Sequence, residues 1–547
     1  MSASEVSDTT EAPEETRETI LVEGGKGPEQ ADQAIRAAIA HGANIYQMGG
    51  RLVSIARDGD SNRDRIRRTP GAPRIVGLSA TALRERLTRH VLFAKIDGRS
   101  GDIKFIECPY HIAAALVDRG EWADVPELVG YNEAPVIRPD GSLLTDPGYD
   151  RRTGLYLFDH ELTLNLPTCV TEPSGDASNE ASMAVRQKRI EHCRTAALDA
   201  YEVLSATLSS LPFKDESDQL AAVAGVMTAT SARVIDSVPM TAITAPTPGT
   251  GKTLLADAMA IVATGRRAAV MSLGQDNAEA EKRLFGLLLA GDLIGVLDNI
   301  ERILEGDLIC QAISQATLNG RPLGGSTMVR VPARSALVAT GNNLVIRGDL
   351  NRRTMLVRLD AKCERPETRA FDRDLLAEVE TKRGAMVGAV LTIARSYQLA
   401  GCPAVADLPA FGGFGDWDLL VRRPLAWLGL GDPLTPARDS QDDDPDRANQ
   451  RSLFASWFAR YGDRPVTAAQ VVDDATSARP RFDGAGFDHD APDLHDALTQ
   501  MLGEKISARA LGYVLRRYRG RIIDDLRLDH AGQCGRNKYA QWRLVKL

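Results

Sequence analysis

The chain of 547 residues predicts an α/β protein built around a parallel sheet with helices on its faces. Three observations predict it. Short apolar runs alternate with helix-patterned stretches through the middle of the chain. A glycine-rich turn, APTPGTGKT from Ala245 to Thr253, stands between one such run and a helix. Aromatic residues make up only 5%, which suits an α-rich chain better than an all-β one.

With 43% hydrophobic and 26% charged residues the chain as a whole is globular, and at roughly 100–200 residues per domain it holds about three or four domains. Its longest apolar stretch, Leu284 to Leu297, is broken by Asp292, so nothing reaches the ~18 apolar residues a membrane helix needs, and no membrane partner is expected. The polar, acidic start carries neither a signal core nor an Arg-rich transit segment, and a cytoplasmic location is expected. Seven scattered cysteines without a CxxC pair argue against a disulfide framework and a zinc site.

Residues 1–32 hold nine acidic residues against two basic ones and predict a disordered acidic tail. A small α/β domain follows over 33–157, with helix-like windows at Gln33 to Ala40, Leu83 to Val91 and His111 to Arg119 and a hairpin turn at Gly49-Gly50. The basic run NRDRIRRTPGAPR, Asn62 to Arg74, reads as a mobile loop. A helical collar spans 158–235, with helices over Ser182 to Leu211 and Ser217 to Ile235. The core, 236–362, has strands at 240–245, 268–273, 293–299, 336–342 and 354–360. A helical lid (363–435), an acidic linker (436–450, with DSQDDDPD) and a last domain (451–547) complete the chain.

The turn at Ala245 to Thr253 has the strand-to-helix context of a phosphate-binding loop, the Walker A motif. Gly249 and Gly251 free backbone N–H groups to turn toward phosphate, Lys252 supplies a cation, and the Thr253 hydroxyl suits Mg²⁺. Nucleotide contacts are expected from Pro248, Gly249, Thr250, Gly251, Lys252, Thr253 and Leu254, with ATP and Mg²⁺ as the ligands. The first glycine of the usual pattern is replaced by Pro246.

LIGVLDN places Asp298 at the C-terminal end of a buried strand, where α/β sheets bind ligands, and makes it the metal-side carboxylate together with Thr253. The next residue, Asn299, cannot act as a base; Glu301 and Asp292 are the carboxylates that could polarise water instead. ATGNN ends the following strand with Asn342 and Asn343, either of which could bond a γ-phosphate or cap a loop. Arg347, Arg352 and Arg353 precede the last strand. They read as a solvated edge or, more sharply, as a finger to a neighbouring subunit's nucleotide, which requires an oligomer.

The order PTPGTGKT, LIGVLDN, ATGNN and RGDLNRRTMLVRLD resembles the AAA+ ATPase core of superfamily 3 helicases, in particular primase-helicases of satellite phages, plasmids and integrated elements. The resemblance covers about residues 130 to 435. It implies a homo-oligomeric ring, a hexamer, that hydrolyses ATP between subunits and moves along single-stranded DNA. Lys252, Thr253 and Asp298 would come from one subunit, Arg352 or Arg353 from the next, and Asn342 matches the sensor position. NGRPLGGSTMVRVPARS, Asn319 to Ser335, is similar to the hairpin such helicases point into their channel, with Arg321, Ser326 and Arg330 as DNA contacts. No paired-carboxylate polymerase motif stands out in the first 150 residues, so no primase centre is expected there; the chain either works without a primase or uses one on a separate subunit.

From Lys505 to Leu547 eleven Lys and Arg face three acidic residues inside a chain of net charge −8, which points to nucleic acid. Helices opening at Thr467 and near Asp493, a basic helix capped by Ser507, and two β-like runs read as a winged helix that takes duplex DNA. The helix buries Leu511, Val514 and Leu515 and presents Arg509, Arg516, Arg517 and Arg519. The leading expectation is a replicative DNA helicase of a mobile element. The alternative is an ATP-gated origin-binding initiator or regulator with little unwinding; an ATP-gated defence or signalling scaffold would leave the basic C-terminus without a use.

Overall fold

The computed structural model describes residues 17–57, 66–167, 183–273, 277–301, 303–321, 328–368, 373–442, 445–480, 487–503, 505–535 and 538–547. The chain forms two compact units, residues 1–436 and 437–547. Among the described residues no helix is long and apolar enough to cross a membrane, and no group of three or more metal-binding side chains assembles.

The first unit begins earlier than its composition implies. Thr19–Leu21 is a strand paired in parallel with Leu92–Ile96, and a helix runs over Gly27–Ala40 with Pro28 in its first turn. This corrects the boundary of the acidic tail at residue 32. Average charge masks the short apolar run Ile20-Leu21-Val22, and Ile20 is 1% exposed, a burial that contributes ~1.5–3 kcal/mol. Ile20 joins Leu52, Leu83, Leu87, Phe93, Ile112 and Leu116 in a local core. The expected hairpin is present: Tyr46–Met48 pairs with Arg51–Arg57 through Gly49 and Gly50, at φ 55° and 75°. Those left-handed conformations favour glycine.

The basic run after residue 65 is not a free loop. Ile66 is fully buried, Arg67 exchanges backbone hydrogen bonds of 3.0 and 2.9 Å with Val270, and Arg68 makes a buried ion pair with Asp292 at 2.6 Å. Residues 58–65 lie outside the described residues.

Further along, α1 (Met183–Leu208) and α2 (Glu216–Ser231) lead into the central sheet. The Asp215 side chain starts α2 by accepting from the N–H groups of Ser217 and Asp218 at 2.9 and 3.2 Å. The sheet contains β1 (Met240–Ala245), β2 (Ala269–Met271), β3 (Ile294–Leu297), β4 (Ala336–Asn342) and β5 (Thr354–Arg358). Its order is β2-β3-β4-β1-β5 and every pair is parallel, so β4 lies between the glycine-rich loop's strand and that of Asp298. The connecting helices are α3 (Lys252–Thr264), α4 (Asn277–Ala290) and α5 (Asp307–Ser314). A hairpin of Thr317–Gly320 and Val329–Pro332 branches off before β4.

The stretch expected as a lid is part of the same body. The long helix α6 (Leu375–Leu399), capped by Asp374, buries Val379, Val387, Val390, Leu391 and Ile393. Trp417 is fully buried and its Nε1–H donates to Thr228 Oγ1 at 2.8 Å. One hydrophobic core joins Val136 and Leu155, α1 and α2, the sheet, α6 and Trp417, so the expected boundaries at 157, 235 and 362 do not separate compact units. Nor is 436–450 an unstructured linker: helices run over Thr435–Asp442 and from Pro445.

The second unit packs α7 (Pro445–Tyr461), α8 (Ala468–Thr476), α9 (Pro492–Leu502) and α10 (Ala508–Tyr518) against a four-stranded antiparallel sheet. Val466–Thr467 pairs with Tyr539–Lys546, which pairs with Leu526–Cys534 and, through it, meets Ile522–Ile523. Thr467 and Gln470 form a reciprocal capping box at the start of α8. Trp457, Val471, Leu494, Leu511, Leu515, Leu528 and Trp542 fill the core.

Candidate nucleotide site and nucleic-acid surfaces

The glycine-rich loop lies between the C-terminal end of β1 and the first turn of α3. Gly249 and Gly251 have φ of 74° and 106°, and a Cβ on Gly251 would come 3.0 Å from Leu211 Cδ2. Thr250, which is buried, braces the turn by donating its hydroxyl to the Thr247 carbonyl at 2.7 Å. Pro246, Pro248 and Gly249 are exposed, Leu254 is half-buried, and the positive-φ glycines keep the tight part of the loop despite Pro246. α3 starts at Lys252, so its unpaired first N–H groups belong to the same loop.

Lys252 Nζ donates to Asn342 Oδ1 at 2.6 Å and to the Thr247 carbonyl at 3.3 Å. Burial holds its pKa below that of an ordinary lysine, and the negative charge of Asp298 offsets part of the effect. Thr253 Oγ1 donates to Asp298 Oδ1 at 3.3 Å, and Thr340 Oγ1 donates to the same oxygen at 2.7 Å. Thr340 Oγ1 in turn accepts the Asn299 N–H at 3.1 Å. The Thr253 hydroxyl and the Asp298 carboxylate are oxygen donors of the kind Mg²⁺ takes, brought side by side by two elements, and so fit that ion.

Thr340 was not singled out from the sequence. It stands two residues before Asn342 in ATGNN, and the period of two along a strand puts both on one face of β4. Its partner Asp298 follows the neighbouring strand β3, one residue beyond the Leu297↔Ala339 pair of the register. The two asparagines also separate. Asn342 holds Lys252, whereas Asn343, at φ 45°, donates its backbone N–H to the Ala245 carbonyl at 3.0 Å and closes the gap to β1.

Of the two carboxylates considered as water-polarising groups, Asp292 is excluded. It is 7% exposed, precedes β3 at the end opposite Asp298, and is committed to Arg68. Glu301 is exposed near the site, and its Oε1 accepts from Asn299 Nδ2 at 3.1 Å. Asn299 itself has φ 52°.

Arg352 and Arg353 close the 3₁₀ turn Gly348–Arg353 in front of β5. Both Nε–H groups donate to the Asp349 carboxylate, that of Arg353 at 2.7 Å, and Arg353 Nη1 also donates to Ser314 Oγ. Their side chains are 68% and 20% exposed. Asp349, which the sequence reading passed over, is held below the usual carboxylate range by these two bonds.

Arg330 faces Asn319 across the hairpin and donates from Nε to Thr317 Oγ1 at 3.2 Å; it and Arg321 are exposed. Ser326 and the Gly324-Gly325 turn lie outside the described residues. The second strand of the hairpin packs on the N-terminal segment, where a Cβ on Gly49 would clash with the Arg330 carbonyl oxygen.

In the second unit α10 is capped by Ser507, whose side chain accepts from the Ala510 N–H at 3.2 Å. Leu511, Leu515 and Tyr518 are buried, while Val514 is only half-buried. Arg509, Arg516, Arg517 and Arg519 are exposed, and the Arg516 guanidinium lies 4.7 Å from the ring centre of Tyr513, itself 58% exposed.

No protein-family model and no curated protein matches this chain. Among solved structures it is similar to the A form apo structure of the NrS-1 C terminal region, with 11% identity and a TM-score of 0.37 over 90% of this chain and 96% of that one. A likeness of that size assigns neither fold nor activity.

Proposed function

We propose that this chain is an ATP-dependent, ring-forming DNA helicase that works in the replication of a mobile element, with an AAA+ core in the first unit and a winged-helix DNA-binding domain in the second. The observation that carries the reading is the convergence of Lys252, Thr253, Asp298, Thr340 and Asn342 on the edge where β1, β3 and β4 end. These are the groups a nucleotide triphosphatase needs: a cation for the β- and γ-phosphates, two oxygen ligands, and a polar strand-end amide.

Lys252 is held by Asn342, and the phosphates of ATP would compete for that ammonium. Bound phosphates would then leave the Asn342 side chain to face the γ-phosphate or its attacking water. Mg²⁺ at Thr253 and Asp298 would neutralise charge on the transferred phosphoryl group. Thr340, by donating to Asp298, keeps the carboxylate oriented. Glu301, hydrogen-bonded to Asn299, is the carboxylate nearest in sequence that can take a proton from water. Arg352 or Arg353 of a neighbouring copy would complete the site, and Arg321 and Arg330 would grip a single strand.

The test is strand separation on a forked DNA with ATP and Mg²⁺, comparing the protein with Lys252→Ala after both are shown to be folded. Unwinding that the substitution abolishes is the expected result. Asn299 in the place of an acidic residue favours a second reading, an ATP-gated initiator with little turnover; DNA binding without unwinding in either protein would select it.

A further inference from the structure

Arg352 and Arg353 are adjacent and chemically identical, yet their surroundings differ. The turn that carries them is 3₁₀, in which residues three apart eclipse, so Asp349 lies over Arg352 and next to Arg353. Leu350, 1% exposed, anchors the turn, and Gly348 enters it at φ 69°. Arg353 is fastened from two sides, by Asp349 and by Ser314 at the end of α5, and its side chain is mostly covered. Arg352 is engaged only through Nε among the described residues, and its side chain is 68% exposed. Its two terminal nitrogens, the fork that grips phosphate oxygens, make no hydrogen bond among the described residues. Asp349 also lines a cleft of about 390 Å³ with Arg347, Glu281, Leu284 and Cys310, so this edge is open to an incoming group.

The geometry points to Asp349 as a positioning residue that sorts the pair: it aims Arg352 outward for a neighbouring subunit's nucleotide and fixes Arg353 as a structural staple. The inference rests on the ring-ATPase reading and adds to it which arginine reaches across and what orients it. An exposed arginine loses much rotamer freedom when it meets a phosphate; a carboxylate already bonded to Nε removes part of that loss before the nucleotide arrives.

The test is steady-state ATP turnover by the full chain, with thermal midpoints and the affinity of a fluorescent ATP analogue measured alongside. Arg352→Ala should lower kcat by about 10³ with KM nearly unchanged, as expected for loss of an arginine finger. Arg353→Ala should instead lower the thermal midpoint. Asp349→Asn and Asp349→Ser should lower kcat about tenfold at unchanged KM, and Asp349→Glu should recover most of it. In the double variant Asp349→Asn/Arg352→Ala, kcat should equal that of Arg352→Ala alone, which a merely structural role for Asp349 would not produce. Mixing Arg352→Ala with Lys252→Ala protein should restore turnover, because each supplies the half the other lacks.

If a folded Asp349 variant turns over normally while Arg352→Ala is impaired, or if the two effects add, the positioning role is overturned and the ring reading stands. If Arg352→Ala turns over normally while Lys252→Ala is dead, the arginine assignment itself fails. Absence of turnover in the unaltered protein removes the reading beneath both.

Discussion

Lys252 Nζ and Asn342 Oδ1 are 2.6 Å apart, so the first residue of α3 and the last of β4 are joined. On the proposed reading, a nucleotide would take the place of Asn342 at the ammonium and leave that side chain beside the γ-phosphate.

Replacing Asn342 should expose that double duty. Asn342→Ala is expected to lower kcat for ATP by about 10²-fold, the scale for one polar group aimed at a reacting centre. Asn343→Ala should stay within about twofold, because Asn343 contributes its backbone N–H. Equal losses in the two would sink the distinction; turnover by a coupled phosphate assay decides it.

Thr340→Val removes the hydroxyl that both accepts from the Asn299 N–H and donates to Asp298. A fall in turnover of about ten- to a hundredfold is expected, with Thr340→Ser near normal, since one lost hydrogen bond to a charged group is worth about 1.5–3 kcal/mol. Titration of Mg²⁺ activation should show the valine variant needing more metal.

The depressed pKa of Lys252 gives a pH dependence with a definite sign. Only the ammonium form attracts phosphate, and its fraction falls as pH rises through the folded pKa. Affinity for ATP should therefore decline at a lower pH than the ordinary lysine value of 10.5 would give, and binding at that pH should take up protons. Isothermal titration in two buffers of different ionisation enthalpy would read the uptake; proton release would contradict it.

On duplex DNA, removing Arg516, Arg517 and Arg519 together should weaken binding evenly across sequences and flatten the salt dependence. Each phosphate that is no longer neutralised reduces the slope of log affinity against log salt by about 0.9. A slope unchanged by the triple substitution would deny α10 a place on the DNA backbone.

The glycine-rich loop was legible because all its parts are local: a strand, two glycines, a lysine and a helix within nine residues. Asp298 and Asn342 were legible for a related reason, since each ends an apolar run that must be a strand. Thr340 and Asp349 were not, because what they do is set by groups on another strand or across one turn, and no single-chain periodicity encodes that. Arg68 misled in the opposite direction: in a run rich in Arg, Gly and Pro it reads as solvated, and only Asp292, 224 residues away, shows otherwise. The expected domain boundaries failed where apolar faces of α1, α2 and α6 close on the sheet and on one another, which composition alone cannot register.

The core itself offers a stability test. Trp417 and Thr228 meet as a buried donor and acceptor at 2.8 Å, so Thr228→Val leaves the indole N–H without its bond. A loss of about 1–3 kcal/mol is expected by denaturant unfolding, and a neutral result would mean the indole finds water.

The bond of Arg67 to Val270 and the ion pair of Arg68 with Asp292 also set an order of events in synthesis. Until more than two hundred further residues have left the ribosome, neither partner of the basic segment exists, and its cationic side chains must wait in solvent. Closing so long a loop is slow compared with forming the hairpin at Gly49-Gly50. Until that pairing closes, the outer strand β2 keeps a free edge, and in that interval a nascent chain can pair with another.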